Sequence, residues 1–532
     1  MTQLFLTTMS IGPVQDFIAA ARRTSDLFAG SHLLTQITGA AANAFPDWSE
    51  ETGAGRIFPL DPTAGGANRI LAIVENPREI VQEAKKRATQ TLMDAWAVGL
   101  NRLDDTQKAA IDVDRAKRQI ENFLEIYSAW VPYDGQNYAQ RRTEVERLLA
   151  GRKALRDFSP TAADDAGIFN SPLDPSRTSV VTKKHQYSVA DPLQKGPLFL
   201  RSVETLDAIS LLKRLHRNDY LTSLTQPRGK ETLLDHVLTT RELSQRSRQS
   251  DFTDPDPDEQ TTSDDFVPDF QYYCVLVADG DHMGAMLSNK ENNNTDKHRE
   301  ISGQLDEFSI QADEIVRKNY GQPVYAGGDD VMALLPVVQA VKCAHALAQS
   351  FSKIIGGTLS VGLAVCHYKE PLSQALRHAH ECESDAKQDR DSLTLGIYHR
   401  SGEPLQIRQS WAQYGSSTGL HTWTEFARRG HVSRGLPHAL RDFVLSWPPE
   451  APLNVLDAEV RRIYEHSEPE IPDETKKSIK EHIPTFADLD PARHDEGLRQ
   501  ARKYVDMLIA ARFISGIDIS DAELAATDRS DS

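Results

Sequence analysis

Apolar residues recur along this chain in two alternating rhythms: short runs with the period of a strand, and longer stretches with the period of a helix. The rhythm is clearest from residue 271 onward. "YYCVLVADGDHMGAML" opens with an apolar strand ending at Asp279, and residues 298 to 320 then place Ile301, Leu305, Phe308, Ala312, Ile315 and Val316 on one helical face. "VYAGGDDVMALLP" (Val324 to Pro336) reads as two strands joined by a tight turn, because Gly-Gly is a hairpin signal. A helix from about Val338 to Ile355 follows, then a half-buried strand alternating Leu359, Val361, Leu363 and Val365. Pro371 suits the first turn of a helix carrying Leu372, Ala375, Leu376, Ala379 and Ala386. The order is βαββαβ, a ferredoxin-like sheet with helices on one face.

The same order is present at the N-terminus. "LFLTTMSIGPVQDFI" is a strand entering a helix, and "AGGANRILAIV" (Ala64 to Val74) aligns with "AGGDDVMALLP" (Ala326 to Pro336). A helix from about Glu79 to Leu100, a strand from Phe123 to Tyr133 and a further helix complete the unit. The copies differ at their bends. Ala67-Asn68 stands where the other copy has Asp329-Asp330, and Ser10 ends the first strand as Asp279 ends its counterpart. One carboxylate-bearing unit is thus paired with a degenerate one.

Adjacent carboxylates repel and are poor strand formers, so a purely structural turn would more readily use Asn-Gly or one Asp. A divalent cation removes the repulsion, and Gly327 and Gly328 leave the main chain open to a polyphosphate. Asp279, Asp329 and Asp330, from neighbouring strands, are the candidate catalytic and metal residues, with Mg2+ or Mn2+ as the cation. Asp281 is equally a helix-entry cap or a fourth metal ligand. Lys387 is either a surface lysine or, if its helix ends over the bend, a point charge for a triphosphate. Gly65 and Gly66 are the nucleotide-binding candidates of the degenerate copy.

Composition changes this picture in five ways. A chain of 532 residues is too long for one core. A net charge of -17 argues against a uniformly basic nucleic-acid binder. The four cysteines, Cys274, Cys343, Cys366 and Cys382, form no C-x-x-C pair and read as buried small hydrophobes, so no zinc is expected. No run of eighteen apolar residues and no leader is evident, which makes a cytoplasmic protein without membrane contact the expectation. Residues 251 to 269 hold 8 acids and no base among Pro, Ser and Thr, the pattern of a linker. The expected organisation is α/β: a degenerate βαββαβ unit (1–157), a mostly helical intervening domain (158–250), an acidic linker (251–270), a second βαββαβ unit with the Gly-Gly-Asp-Asp hairpin (271–405), a C-terminal helical domain (406–518) and an acidic tail (519–532).

"SIGPVQDFIAAARRTSDLFAGSHLL", "DGDHMG", "YAGGDD" and "VGLAVCHYKEPL" together resemble the large polymerase/cyclase subunit of type III CRISPR effector complexes, of the Cmr (III-B) branch. The resemblance implies two facing nucleotide cyclase/GGDEF-like palms, an intervening domain and a C-terminal helical domain within a multisubunit complex on a CRISPR RNA. It implies that target RNA activates conversion of ATP to cyclic oligoadenylate. On that pattern Asp279, Asp329 and Asp330 hold metal, Gly327 and Gly328 approach the nucleotide, and Lys387 contacts the triphosphate. Two departures stand out. The degenerate palm begins at about residue 3, leaving no place for the HD nuclease domain of many members, so DNA cleavage is not expected. The intervening segment has no zinc cysteines. Three other readings stay open: AMP transfer to S-adenosylmethionine at the same site, a diguanylate cyclase, and a non-catalytic scaffold for guide RNA and partner proteins.

Overall fold

The computed structural model describes residues 3–62, 67–155, 169–182, 204–224, 237–247 and 271–515, apart from 401, 417, 434, 468–470 and 487–493. Gly65, Gly66, the acidic linker, the acidic tail and much of the intervening domain lie outside those residues. Among the described residues, ten strands form two sheets. The first contains β1 (Leu4–Gly12), β2 (Gly55–Phe58), β3 (Arg69–Val74) and β4 (Glu125–Tyr133) in the order β2-β3-β1-β4. The second contains β5 (Tyr272–Gly280), β6 (Gln322–Gly327), β7 (Asp330–Leu335), β8 (Leu359–His367), β9 (Ser392–Tyr398) and β10 (Leu405–Ser410) in the order β10-β9-β8-β5-β7-β6. Without β9 and β10 the second order is that of the first, so the internal repeat is one architecture built twice. Strand β9 joins β8 in parallel, and β10 closes the edge antiparallel. Helical periodicity was expected from Gln406; instead Leu405 and Ile407 turn into the core while Gln406 is exposed, the alternation of an edge strand.

The first palm inserts α1 (Gln15–Ala19) and α2 (Thr24–Ala42) after β1. Helices α3 (Pro77–Asn101), α4 (Asp105–Ala109) and α5 (Val113–Glu121) follow β3, and α6 (Tyr138–Ala154) follows β4. Helices α7 (Ala208–Leu224) and α8 (Thr240–Arg246) lie between the palms in sequence. The second palm carries α9 (Met283–Ser288), α10 (Thr295–Lys318), α11 (Val337–Ile355) and α12 (Leu372–Asp389). Six C-terminal helices complete the described chain: α13 (Trp411–Tyr414), α14 (Leu420–Arg428), α15 (Gly435–Ser446), α16 (Leu453–Ser467), α17 (Asp473–Glu481) and α18 (His494–Ile514). Among the described residues no helix is long and apolar enough to cross a membrane.

Local chemistry sets the ends of the second palm's helices. Asn294 caps α10 by accepting the Lys297 N–H at 2.9 Å, and Arg317 and Lys318 complement the carbonyl end. Pro336 leads into α11, and Gly356, with φ +75, ends it.

Both faces of the second sheet are covered, where helices on one face were expected. Cys274, Leu276 and Ala278 of β5 pack with Phe308 and Val316 of α10 and with Leu347 and Phe351 of α11. That core continues into Trp423, Leu440, Val460 and Val505 of the C-terminal helices. The alternate residues Tyr273, Val275 and Val277 face the other way, onto Ala375, Leu376 and Ala379 of α12, in one cluster with Met9, Ile11 and Phe17 of the first palm. The palms therefore share a core. They also exchange helices across it, α10 lying against β2 and α2 against β6. All four cysteines are buried and unpaired.

Gly362 decides how closely α12 sits on the sheet: a Cβ there would lie 2.2 Å from the Glu383 nitrogen and 2.5 Å from the Ala379 oxygen. Both neighbours are backbone and cannot move aside singly. Gly362→Ala is therefore expected to cost about 1–3 kcal/mol as an overpacking substitution, read as a lower unfolding midpoint in thermal or denaturant melts. An unchanged midpoint would contradict this packing.

Candidate active site

Extending the β5–β7 register one step beyond Ala278–Val331 puts Asp279 opposite Asp330. Cross-strand neighbours share a face, so both carboxylates rise on the side covered by α12. Gly327 pairs with Asp330, which leaves Gly328 and Asp329 as a two-residue turn. The sequence suggested Gly-Gly as the turn; here the first glycine ends β6 and only Gly328 takes the left-handed conformation, φ +71. Its N–H donates to Ser309 Oγ of α10 at 3.1 Å, and that hydroxyl donates to Leu305 O at 3.0 Å. Gly280 lets the strands close up, since a Cβ there would lie 2.9 Å from the Asp329 Cβ and 2.7 Å from the Phe351 ring.

Helix α12 brings a cation to this bend. The Lys387 ammonium ion-pairs with Asp279 and, at 2.8 Å, with Glu383 one turn earlier. Burial opposes its charge, but the two carboxylates outweigh burial and hold its pKa above the ordinary lysine value. The aspartates at the bend shift upward. Burial, then the charge of Asp279, pushes the Asp329 carboxyl up to about 6. Burial likewise holds Asp330 well above the usual carboxylate range, reinforced by a hydrogen bond with Asp279 and by the charges of Asp329 and Asp279. A hydrogen bond between two carboxyl groups requires a proton. In the absence of a cation that proton supplies the missing positive charge.

Asp281 does not join the three. It is buried and accepts from Thr358 Oγ1 at 2.8 Å, Ser360 Oγ at 2.7 Å and the Asp391 N–H at 3.0 Å. It ties the chain after β5 to β8 and to the segment that follows α12. His367 and His378 lie elsewhere: His367 pairs with Gln271 at 2.8 Å, and His378 stacks on Tyr398 between Glu370 and Glu381.

In the first palm, extending Ser10–Arg69 by one step sets Ile11, not Ser10, opposite Asn68, and the Ile11 N–H donates to Asn68 O at 2.9 Å. The residue in the register of Asp279 is therefore a buried isoleucine. Ser10 is one position out and faces the other side of the sheet.

The chain matches two family descriptions: Cas10/Cmr2, second palm domain, over residues 272–394, and CRISPR-associated protein Cmr2, N-terminal, over residues 6–59. Over those two stretches the chain is similar to the Cas10/Cmr2 family. The CRISPR system Cmr subunit Cmr2 of Pyrococcus furiosus is 28% identical over 286 residues, which are 47% of this chain and 32% of that protein. The match thus spans about a third of that relative's length. The fold is shared with the apo state of a type III-B Cmr-beta complex, at TM-score 0.56 and 10% identity over 87% of this chain and 77% of that one. It is also shared with a Csm1-Csm4 cassette in complex with pppApA, at TM-score 0.52 and 16% identity over 96% and 69%.

Within the second palm, sequence reasoning overlooked Glu383 and Ser309. Glu383 was open to detection as the i−4 partner of Lys387. Ser309 had only the faint signal of a hydroxyl on an apolar helical stripe. Among the described residues no three His, Cys, Asp or Glu side chains stand in a ready-made metal-ligating arrangement. The donor chemistry nonetheless fits a hard cation: clustered carboxylates, crowded enough to retain a proton.

A pH dependence follows. Asp329 and Asp330 hold protons that the unfolded chain releases near pH 4. Their contribution to stability is present below that pH and is lost as pH rises through the folded values, to about 6 and beyond. A divalent cation held by these carboxylates would offset this loss by replacing the proton. Mg2+ should therefore raise the melting midpoint more at pH 8.5 than at pH 5.5, and the difference should vanish in an Asp329→Ala, Asp330→Ala chain. Equal shifts at both pH values would contradict the assignment.

Proposed function

We propose that this chain is the nucleotidyltransferase subunit of a type III CRISPR effector complex, converting ATP to cyclic oligoadenylate when matched target RNA is bound. One observation carries the reading: Asp279, Asp329 and Asp330 crowd together at a glycine bend with Lys387 facing them, in a palm of the Cas10/Cmr2 family. A Csm1-Csm4 cassette of the same fold is described in complex with pppApA, a linear adenylate, which agrees with the proposed substrate.

Each residue has a task in this reaction, in which a 3′-hydroxyl attacks the α-phosphorus of ATP and pyrophosphate departs. A divalent cation, Mg2+ or Mn2+, held by the three aspartates would polarise the α-phosphate and lower the pKa of the attacking hydroxyl. Gly327 and Gly328 leave the bend without side chains, so a phosphate chain can approach the main chain. Lys387, half exposed and permanently charged, is placed to exchange Asp279 for the β- and γ-phosphates as nucleotide enters. Glu383 limits how far it swings. Asp281 holds the end of α12, and thereby Lys387, against the sheet. The first palm lacks the carboxylates and takes the acceptor nucleotide. Turnover then depends on how the palms meet, and target RNA within the complex need favour the productive arrangement by only a few kcal/mol.

The assembled complex with guide RNA, matched target RNA, ATP and Mg2+ should yield cyclic oligoadenylate by mass spectrometry, with and without S-adenosylmethionine. Asp329→Ala with Asp330→Ala should reduce product at least about a hundredfold, ~2.7 kcal/mol of barrier, while guide and target binding stay near wild type. A product containing S-adenosylmethionine would reassign the acceptor. Residual turnover within about tenfold of wild type, or no ATP consumption by the wild-type complex, would overturn the reading, the latter in favour of a scaffold.

A further inference from the structure

Helix α10 belongs to the second palm, yet its N-terminal half is held by the first. Arg299 ion-pairs with Glu50 at 2.7 Å and lies over the Trp48 ring, and His298 Nδ1 meets the Tyr138 hydroxyl at 2.8 Å. One turn on, Ser302 Oγ accepts the Leu60 N–H at 2.9 Å, and Asp306 Oδ2 accepts the Asp61 N–H at 3.0 Å. Leu60 and Asp61 are in the segment that leaves β2. The first palm braces that segment from its own side: buried Arg56 donates to Pro59 O at 3.0 Å and to Ala42 O at 2.9 Å. The next residue of the stripe is Ser309, which accepts the Gly328 N–H in the carboxylate bend.

Positions 302, 306 and 309 follow the i, i+4, i+7 spacing of one helical face. At 1.5 Å per residue the stripe is about 10 Å long. Between these polar groups Leu305 and Phe308 sink into the second palm's core, which fixes the rotation of the helix. The polar stripe is thus fastened at one end to the first palm's main chain and at the other to the catalytic turn.

We propose that Ser302, Asp306 and Ser309 are positioning residues that make α10 a strut setting the distance between the segment after β2 and the Asp329-Asp330 bend. On the reading that the first palm takes the acceptor nucleotide and the second the donor, the strut sets the approach of the 3′-hydroxyl to the α-phosphorus. Its two ends then have different kinetic signatures. Loosening the Asp306 end displaces the acceptor side and weakens ATP binding, whereas loosening the Ser309 end displaces the carboxylates and slows the chemistry.

Asp306→Ala in the assembled complex should raise KM for ATP about fivefold, the effect of losing one hydrogen bond to a main-chain donor, with kcat within about twofold of wild type. Asp306→Asn keeps an acceptor oxygen and should restore KM. Ser309→Ala should instead lower kcat about fivefold with KM unchanged, and Ser309→Thr, which keeps the hydroxyl, should recover it. In the full-length chain without nucleotide, hydrogen–deuterium exchange in the peptide containing Leu60 and Asp61 should quicken in Asp306→Ala and not in Asp306→Asn. The strut is overturned if Asp306→Asn is as impaired as Asp306→Ala, if both ends shift the same kinetic parameter, or if exchange in that peptide does not change. A wild-type complex that consumes no ATP would refute the proposed function instead, and the exchange experiment would still decide the strut.

Discussion

Three carboxylates within one bend repel one another, and the second palm is arranged around that repulsion. Register sets Asp279 across from Asp330, while Gly280 and Gly328 permit an approach that side chains would block. Burial then makes the charges costly, so a proton is retained and Lys387 is drawn onto Asp279. In the proposed function a hard cation and an anionic substrate would each relieve part of that repulsion. The surrounding fold supplies the restraint: Ser309 holds the turn, Asp281 holds the end of α12, and the shared core holds both.

The first palm is a comparison built into the same chain. Its sheet has the same strand order, yet Ile11 and Asn68 occupy the positions of Asp279 and Asp330. The frame therefore forms without carboxylates, and Ile11 is buried in the core shared by the palms. The charged version is the costlier of the two, a cost that the folding of the palm does not require. Its retention in one copy only is what a division of labour between donor and acceptor sides would leave.

Much of the frame was legible in the sequence because it is written in local signals. Glycines mark the bend, helical and strand periods mark the elements around it, and the repeat shows as "AGGANRILAIV" against "AGGDDVMALLP". What was not legible depends on register and on distant partners. Ser10 stood in for Ile11 because a one-residue slip leaves the pattern intact while reversing the face. The close seating of α12 on the sheet depends on Gly362, whose missing side chain gives no periodic signal. Asp281 was left open between cap and ligand because Thr358, Ser360 and Asp391 are far away in the chain. Ser302 and Asp306 carry no signal in the sequence, since their partners lie more than two hundred positions earlier.

The central claim is that Asp279, Asp329 and Asp330 form the cation site at which nucleotide is bound. Anomalous scattering from crystals of the full chain grown with Mn2+ and a non-hydrolysable ATP analogue tests it directly. The account predicts Mn2+ density between the three carboxylates, with Lys387 moved from Asp279 to the phosphates. Nucleotide bound in the second palm with no Mn2+ at these carboxylates, or with Lys387 still paired to Asp279, would contradict it.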